Sequence, residues 1–227
     1  MKITDARRAI ATSVFLTLIL SVGFAAVEPT LGRSASAEDQ FEIHQTITAE
    51  ISFAAPASDV TMNGSIAGTT GGSAYGTTSV RVATNNNLGF TMTVQASSSP
   101  AMQREGGGDS INDYTPATAG IPDYTFSVPS GAEFGFTVSA STTGELAQKF
   151  KDDGFSTCNW SGGVDTSSSA SCWMGLSTTA TSTIVTTGAT AASGATSTMV
   201  FRTFLNSGSG KASGTYTATT TLTATTN

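Results

Sequence analysis

Histidine and cysteine are scarce in this chain of 227 residues. His44 is the only histidine, and Cys158 and Cys172 are the only cysteines. A zinc site needs several nitrogen or sulfur ligands, and these three residues do not have zinc-finger spacing. A Ser-His-Asp triad would have to be built around His44, and the chain has no Gly-x-Ser-x-Gly turn to present a serine. The sequence therefore predicts a protein that is not an enzyme.

Basic residues are also few, and their scarcity excludes one class of partner. The whole chain carries 10 Lys and Arg against 16 Asp and Glu, a net charge of −6. From residue 38 onward, six basic residues face fourteen acidic ones, a net charge of −8. An acidic protein has no long-range attraction to nucleic acid or to an anionic membrane surface. We expect no nucleic-acid partner.

One apolar run stands near the N-terminus. Val14–Val27 follows three basic residues, is short for a membrane span, and is followed by Ala35-Ser36-Ala37. This layout predicts a secretory signal peptide over residues 1–37, with an uncleaved membrane anchor as the competing interpretation. The mature chain, residues 38–227, is then expected at the cell surface or in the medium, without a membrane span.

Period-two alternation is the main structural signal in the mature chain, which is rich in Thr, Ser, Gly and Ala. Alternation of this kind indicates strands with one buried face. Tyr75–Ser97 reads as two such strands joined by the turn Asn85–Gly89, and we predict a hairpin. Thr78, Val80, Val82 and Thr84 share the buried face of the first arm, and Leu88, Phe90, Met92, Val94 and Ala96 share that of the second.

The longest alternation is Phe41–Phe53, FEIHQTITAEISF, which predicts one long strand near the free end of the mature chain. It reads either as an edge or core strand of its own domain or as a strand donated to a neighbouring subunit. Residues 97–122 predict a long loop excursion, because proline and glycine interrupt the pattern. Gly144–Asp152 predicts a short helix. Further strand signals lie at Val60–Ile66, Tyr124–Val128, Phe134–Ala140, Ile184–Val185, Met199–Leu205 and Thr215–Thr226.

These signals predict an all-β fold: one immunoglobulin-like β-sandwich of about eight to ten antiparallel strands. Cys158 and Cys172 follow the export signal, so a disulfide that closes the intervening loop is the favoured interpretation. Such a loop is worth about 3 kcal/mol in the chain-entropy model.

Three weaker sets of residues are candidates for ligand chemistry. Trp160, Trp173 and Tyr114 would stack on a sugar, or else pack as a small core beside the disulfide. The oxygen-rich loops at Asp109, Asp113, Asp152 and Asp153 are weak candidates for calcium, and no other cofactor is expected. Paired loop carboxylates would be needed for a hydrolase; the solvated alternative is favoured for Glu105, Asp109, Asp113 and Asp123.

Two stretches carry a family resemblance: SVRVATNNNLGFTMTVQAS (Ser79–Ser97) and SGTYTATTTLTATTN (Ser213–Asn227). They resemble exported bacterial surface proteins, in particular spore-coat-U-type and pilin-like domains, with a style shared by WxL-type domains. Those domains have a T-N-N-x-G-[FY] turn and finish on Gly-x-Tyr and a Thr-rich strand, as Gly214-Thr215-Tyr216 does here. The resemblance implies a non-enzymatic immunoglobulin-like sandwich of coats, pili or surface layers, and it carries over no catalytic residue.

The sequence thus predicts a structural component of a bacterial surface that associates with itself or with other surface proteins. The alternative is a secreted adhesin module that binds carbohydrate or a host molecule, through residues 97–122 and the loop that holds Trp160 and Trp173.

Overall fold

The computed structural model describes residues 38–140, 145–162, 171–178 and 182–227, so the predicted signal peptide, residues 1–37, lies outside the described residues. The chain divides into a first unit, Met1–Thr46, and a second unit, Ile47–Asn227. The described residues of the first unit, 38–46, contain no strand. The described residues of the second unit form ten strands and one 3-10 turn: β1 (Ile51–Ala55), β2 (Gly72–Thr84), β3 (Phe90–Ala96), β4 (Met102–Arg104), β5 (Ser110–Asp113), β6 (Ala132–Ala140), the 3-10 turn Gln148–Phe150, β7 (Ser182–Thr186), β8 (Ala191–Leu205), β9 (Tyr216–Ala218) and β10 (Thr220–Thr226).

The strands form two sheets. The larger has seven strands in the order β1-β2-β8-β6-β5-β4-β9, and the smaller has three in the order β10-β3-β7. All pairs are antiparallel except β5–β6, which is parallel. The predicted all-β class with one disulfide is confirmed, and two sheets are consistent with a β-sandwich.

The main core draws on the inward faces of both sheets. Alternate residues of β2 and of β3 are buried, as the sequence predicts for these strands. In β8 the run Met199–Phe201 is buried at every position, as in a strand that is covered on both faces. The side chains that reach full burial in this core include Val80, Val82, Phe90, Met92, Val94, Phe136, Ile184, Val185 and Met199.

The predicted hairpin is wrong in its connection, although both strands exist. β2 pairs with β1 and β8, whereas β3 pairs with β10 and β7, so the chain passes from one sheet to the other at Asn85–Gly89. Alternation reports which face of a strand is buried, and that pattern is the same whether two strands lie side by side or face each other across a core. Gly89 has φ +76°, and a Cβ there would overlap Thr187, so the crossing requires glycine. Leu88, predicted to be buried, is 60% exposed.

The predicted long strand Phe41–Phe53 is also wrong over most of its length. Only Ile51–Ala55 forms a strand, and residues 38–50 have no regular secondary structure. β1 begins where β2 ends, because Ile51 pairs with Thr84, the last residue of β2. Residues that precede Ile51 therefore have no ladder partner on β2.

Several shorter elements differ from their predictions. The excursion 97–122 contains β4 and β5, which at three and four residues are too short to show alternation. The signals at Val60–Ile66 and Tyr124–Val128 correspond to irregular segments. In place of the helix Gly144–Asp152, whose first residue lies outside the described residues, a 3-10 turn forms, and Leu146 makes an extended bridge to Val185.

The C-terminal stretch Thr215–Thr226 is two strands and not one. β9 pairs with β4 in the larger sheet, and β10 pairs with β3 in the smaller. Thr219 lies between the two strands, and the chain passes from the larger sheet to the smaller sheet at this residue. Its backbone oxygen accepts a hydrogen bond from the amide of Ser97 at 3.0 Å, just past the end of β3.

Candidate functional site

An open groove of about 750 Å³ lies beside this change of sheet. One wall is the irregular segment 56–62, and the other is formed by residues 215–220 and Leu222. The groove is lined by apolar side chains of the segment 56–62, of the inner face of the larger sheet, and of β4 and β9. They are Val60, Met62, Met102, Phe134, Met199, Phe201 and Tyr216. Methionine is flexible and polarisable, so this lining accommodates an apolar side chain without a fixed outline.

One strand at this groove has an edge without a partner. Within the described residues β10 pairs with β3 alone, and it is the outer strand of its sheet. Leu222 and Ala224 point toward the core and are only half-buried. An edge strand presents a row of backbone N–H and C=O groups that can pair with another chain.

The segment that precedes β1 carries exposed apolar side chains. Phe41, Ile43 and Ile47 are 81%, 84% and 81% exposed. They alternate with polar residues, among which His44 Nε2 lies 3.1 Å from a carboxylate oxygen of Glu42, both side chains being exposed. Large apolar residues at this exposure and spacing are what a strand shows before it gains a partner.

The predicted disulfide is confirmed. Cys158 and Cys172 are joined at an S–S distance of 2.03 Å, and their Cα atoms are 5.6 Å apart. Both cysteines are buried in the main core. Asp152 forms an extended bridge with Cys158, and its carboxylate accepts a hydrogen bond from the Ser171 hydroxyl at 2.6 Å. The disulfide therefore attaches the described residues around Asp152 and Cys158 to the sandwich.

The predicted stacking platform of three aromatic rings is not present. Tyr114 and Trp173 are 3% and 2% exposed, and both pack on Phe126 in a second apolar cluster. Burial, together with the hydrogen bond that its hydroxyl donates to Asp123 at 2.7 Å, raises the pKa of Tyr114 to about 12. Trp160 alone is accessible, at 49% exposure. Tyr114 and Trp173 therefore fit the alternative interpretation, in which these rings pack as a small core. That core forms around Phe126 and not around the disulfide.

Asp109 and Asp113 each have protein partners. Asp109 accepts hydrogen bonds from the Tyr216 hydroxyl at 2.6 Å and the Ala212 amide at 2.8 Å, and it pairs with Lys211 at 3.1 Å. Asp113 accepts from the Ala101 amide at 2.8 Å, and burial raises its pKa. These contacts give both side chains structural roles.

The second pair of acids is similar. Asp152 accepts from the Gly154 amide at 2.8 Å as well as from Ser171. Asp153 accepts from the amides of the next turn, residues 155–157, and these hydrogen bonds lower its pKa to about 2. Within the part of the chain that the structure describes, no three acidic, histidine or cysteine side chains come together as a metal cluster would require. Calcium therefore gains no geometric support from these four residues.

Fold and site together define an all-β protein of two sheets, stapled by one disulfide, with an open apolar groove at a strand edge. No protein-family model matches the chain, and no curated protein or solved structure is significantly similar to it. Among the described residues, no helix has the length and apolar character that crossing a membrane demands.

Proposed function

We propose that this protein is a non-enzymatic structural subunit of a bacterial cell surface and that it assembles by strand addition. The observation that carries the proposal is that the same chain has two complementary features, a strand-like segment and a groove. Among the residues that the structure describes, the segment 41–47 is an alternating strand sequence without a partner strand, and the groove beside β10 is an apolar site with an open strand edge. The resemblance to spore-coat-U-type and pilin-like domains, and the export signal that the sequence predicts over residues 1–37, support the same proposal.

The dimensions of the two features agree. The segment Phe41–Ile47 has the same length as β10, which has seven residues. Added along β10, it places Phe41, Ile43 and Ile47 on one face and Glu42, His44 and Thr46 on the other, because side chains alternate along a strand. The apolar face then covers Leu222 and the methionine-lined groove, and the polar face stays in water. Both the unpaired backbone and the exposed apolar area are removed in one step.

Assembly of purified full-length protein tests this proposal. Ile43→Asp with Ile47→Asp places two charges on the apolar face, whereas Glu42→Gln with Thr46→Ser alters only the polar face. We expect light scattering and electron microscopy to show polymers for the unaltered protein and the polar-face variant, and monomers for the double Asp variant.

The readout that separates donation from an ordinary intramolecular strand is stability. If the segment belongs to its own domain, the double Asp variant loses unfolding free energy as a monomer. If it is donated, the monomer keeps the stability of the unaltered monomer and loses only assembly. Polymers that form equally well from the double Asp variant would refute the proposal.

A second candidate function is that of a glycan-binding adhesin. One observation at its predicted stacking site favours it: Trp160 is exposed, two residues after Cys158 of the disulfide. Its Trp160→Ala variant would lose binding on a glycan array if this ring stacks on sugar. Phe155→Ala is the matched control, because Phe155 is 84% exposed in the same region.

A further inference from the structure

Arg202 lies on an interior strand of the larger sheet, on the face turned away from the main core. It pairs with Tyr75 of β2 on one side and with Gly135 of β6 on the other. The adjacent residues Phe201 and Thr203 are buried on the inward face, whereas Arg202 is half-buried. Its side chain therefore stands on the outer surface, beside the cluster that contains Phe126.

Three aromatic rings hold the guanidinium group in place. Its central carbon lies 4.9 Å from the ring centroids of Tyr75 and of Phe126, and 5.8 Å from that of Phe204. Gly135 makes room for this arrangement, since a Cβ there would stand 2.9 Å from Cε2 of Phe126. Stacking on aromatic faces uses the plane of a guanidinium group and leaves its N–H donors for other partners.

No carboxylate pairs with this guanidinium among the described residues. The ion pairs found there join His44 to Glu42 and Lys211 to Asp109. Nε of Arg202 is buried without an acceptor, which is unfavourable for a cationic donor. The two terminal nitrogens, unlike Nε, are not among the fully buried atoms without a partner, and the side chain as a whole is half-buried. A planar fork with accessible donors matches the two oxygens of a carboxylate.

We propose that this face binds the carboxylate of an acidic saccharide, with Arg202 as the anion-binding residue and Tyr75 and Phe204 as its flanking rings. The local charge favours an anion, because the Arg202 guanidinium has no carboxylate partner among the described residues, although the net charge of −6 opposes an anion at long range. The position disfavours a peptide that adds as a strand, because such a peptide needs an open edge and Arg202 lies on β8, whose neighbours β2 and β6 already occupy both edges. The rings of Tyr75 and Phe204 beside the guanidinium favour a saccharide, which stacks on aromatic faces.

Glu133 is the acidic neighbour that this site must tolerate. It lies on the same face of β6, two residues before Gly135, and pairs with Phe204. Burial raises its pKa, while a hydrogen bond from the Thr115 backbone acts against that rise. A charged Glu133 repels an incoming carboxylate, so Glu133→Gln is expected to strengthen binding.

Calorimetric titration of the full chain with a galacturonic acid oligomer tests the proposal, with its methyl ester and a poly-glutamate peptide as comparison probes. We expect binding of the free acid alone. Equal binding of the ester would show that the carboxylate is not recognised, and equal binding of poly-glutamate would show that the sugar is not; either result, or no binding of the free acid, overturns the proposal. These three titrations use the unaltered protein.

Substitutions then assign the residue. Arg202→Lys keeps the charge but removes the fork, and we expect it to weaken binding at least about tenfold, in line with the loss of hydrogen bonds to a charged group. Arg81→Gln is the matched control, because Arg81 is exposed on the outer face of β2, the strand that carries Tyr75. Binding that survives Arg202→Lys, or that falls equally in Arg81→Gln, contradicts the assignment.

Discussion

The hydroxyl of Tyr216 donates a hydrogen bond to the carboxylate of Asp109 at 2.6 Å, across 107 residues of sequence. Tyr216 begins β9, the edge strand of the larger sheet, and Asp109 directly precedes β5. Lys211 and the Ala212 amide complete the contacts of this carboxylate. One acidic side chain, that of Asp109, therefore makes several of the contacts that join the loop between β4 and β5 to the C-terminal part of the chain.

Asp109→Asn is expected to lower the unfolding free energy by about 1–3 kcal/mol, because it removes a charged acceptor of several hydrogen bonds. Urea denaturation at neutral pH measures the loss. Glu105→Gln is the control, since the Glu105 carboxylate contacts only the exposed Thr217 hydroxyl, at 3.1 Å. Equal stability of the Asn variant and the unaltered protein would contradict the structural role of Asp109.

The same contact predicts a pH dependence. The Tyr216 hydroxyl, followed by the Ala212 amide, holds the pKa of Asp109 well below its ordinary value of 3.8. A carboxyl whose pKa is lower in the folded state contributes stability above its unfolded pKa, and loses it as the pH falls toward the folded pKa. We therefore expect the unaltered protein to lose this contribution below about pH 4. The Asn variant should show a flatter stability profile over the same range, and parallel profiles would refute the linkage.

Removal of the disulfide by the paired change Cys158→Ala and Cys172→Ala is expected to cost about 3 kcal/mol, because the unfolded chain regains the entropy of the open loop. Chemical denaturation with and without a reducing agent measures the effect. The reductant should destabilise the unaltered protein and leave the double variant unchanged. A reductant effect of equal size on both proteins would show that it acts elsewhere.

Gly135→Ala is expected to destabilise the protein by about 1–3 kcal/mol through overpacking. A Cβ at this position would stand 2.8 Å from Cβ of Tyr114 and 3.0 Å from the backbone oxygen of Met174. Gly188→Ala is the control, because nothing lies within 4 Å of the Cβ it adds. Thermal unfolding of both variants, with near-ultraviolet circular dichroism to follow the aromatic cluster, should show a change for Gly135→Ala alone.

Phe136→Ala is expected to cost about 3–5 kcal/mol, since it opens a cavity in the main core. Phe136 has no exposed surface, and its ring centroid lies 5.7 Å from that of Phe150. Phe155→Ala removes a ring that is 84% exposed and should have little effect. Similar losses in the two variants would place Phe136 outside the core.

The strands that sequence predicts best are those with several alternating residues and a buried face, such as β2, β3 and β6. Their partners are not encoded in that alternation, which is why the passage from β2 to β3 reads as a hairpin although it joins two sheets. Strands as short as β4 depend on neighbours that are distant in sequence: Met102 pairs with Ile111 and with Ala218.

The candidate sites show the same division. The disulfide is expected from two cysteines in a chain with a predicted export signal, and it is confirmed. The burial of Trp173 and Tyr114 depends on Phe126, whose own segment reads as a strand and is irregular. Arg202 carries no sequence signal of its own, because its surroundings come from β2, from β8 and from the segment that contains Phe126. Knowledge of the strand register would have placed Tyr75, Arg202 and Gly135 beside one another on three adjacent strands.

The change of sheet at Thr219 has a mechanical consequence. β9 is an outer strand of the larger sheet and β10 is an outer strand of the smaller sheet, and Thr219 joins the two strands. Cleavage of the peptide bond after Thr219 would leave β10 without a covalent link to the rest of the protein, held by its seven-residue ladder with β3, by the packing of Leu222 and Ala224 and by the hydrogen bonds of Asn227. A pulling force along the backbone of this segment is therefore transmitted from the larger sheet to the smaller sheet at Thr219.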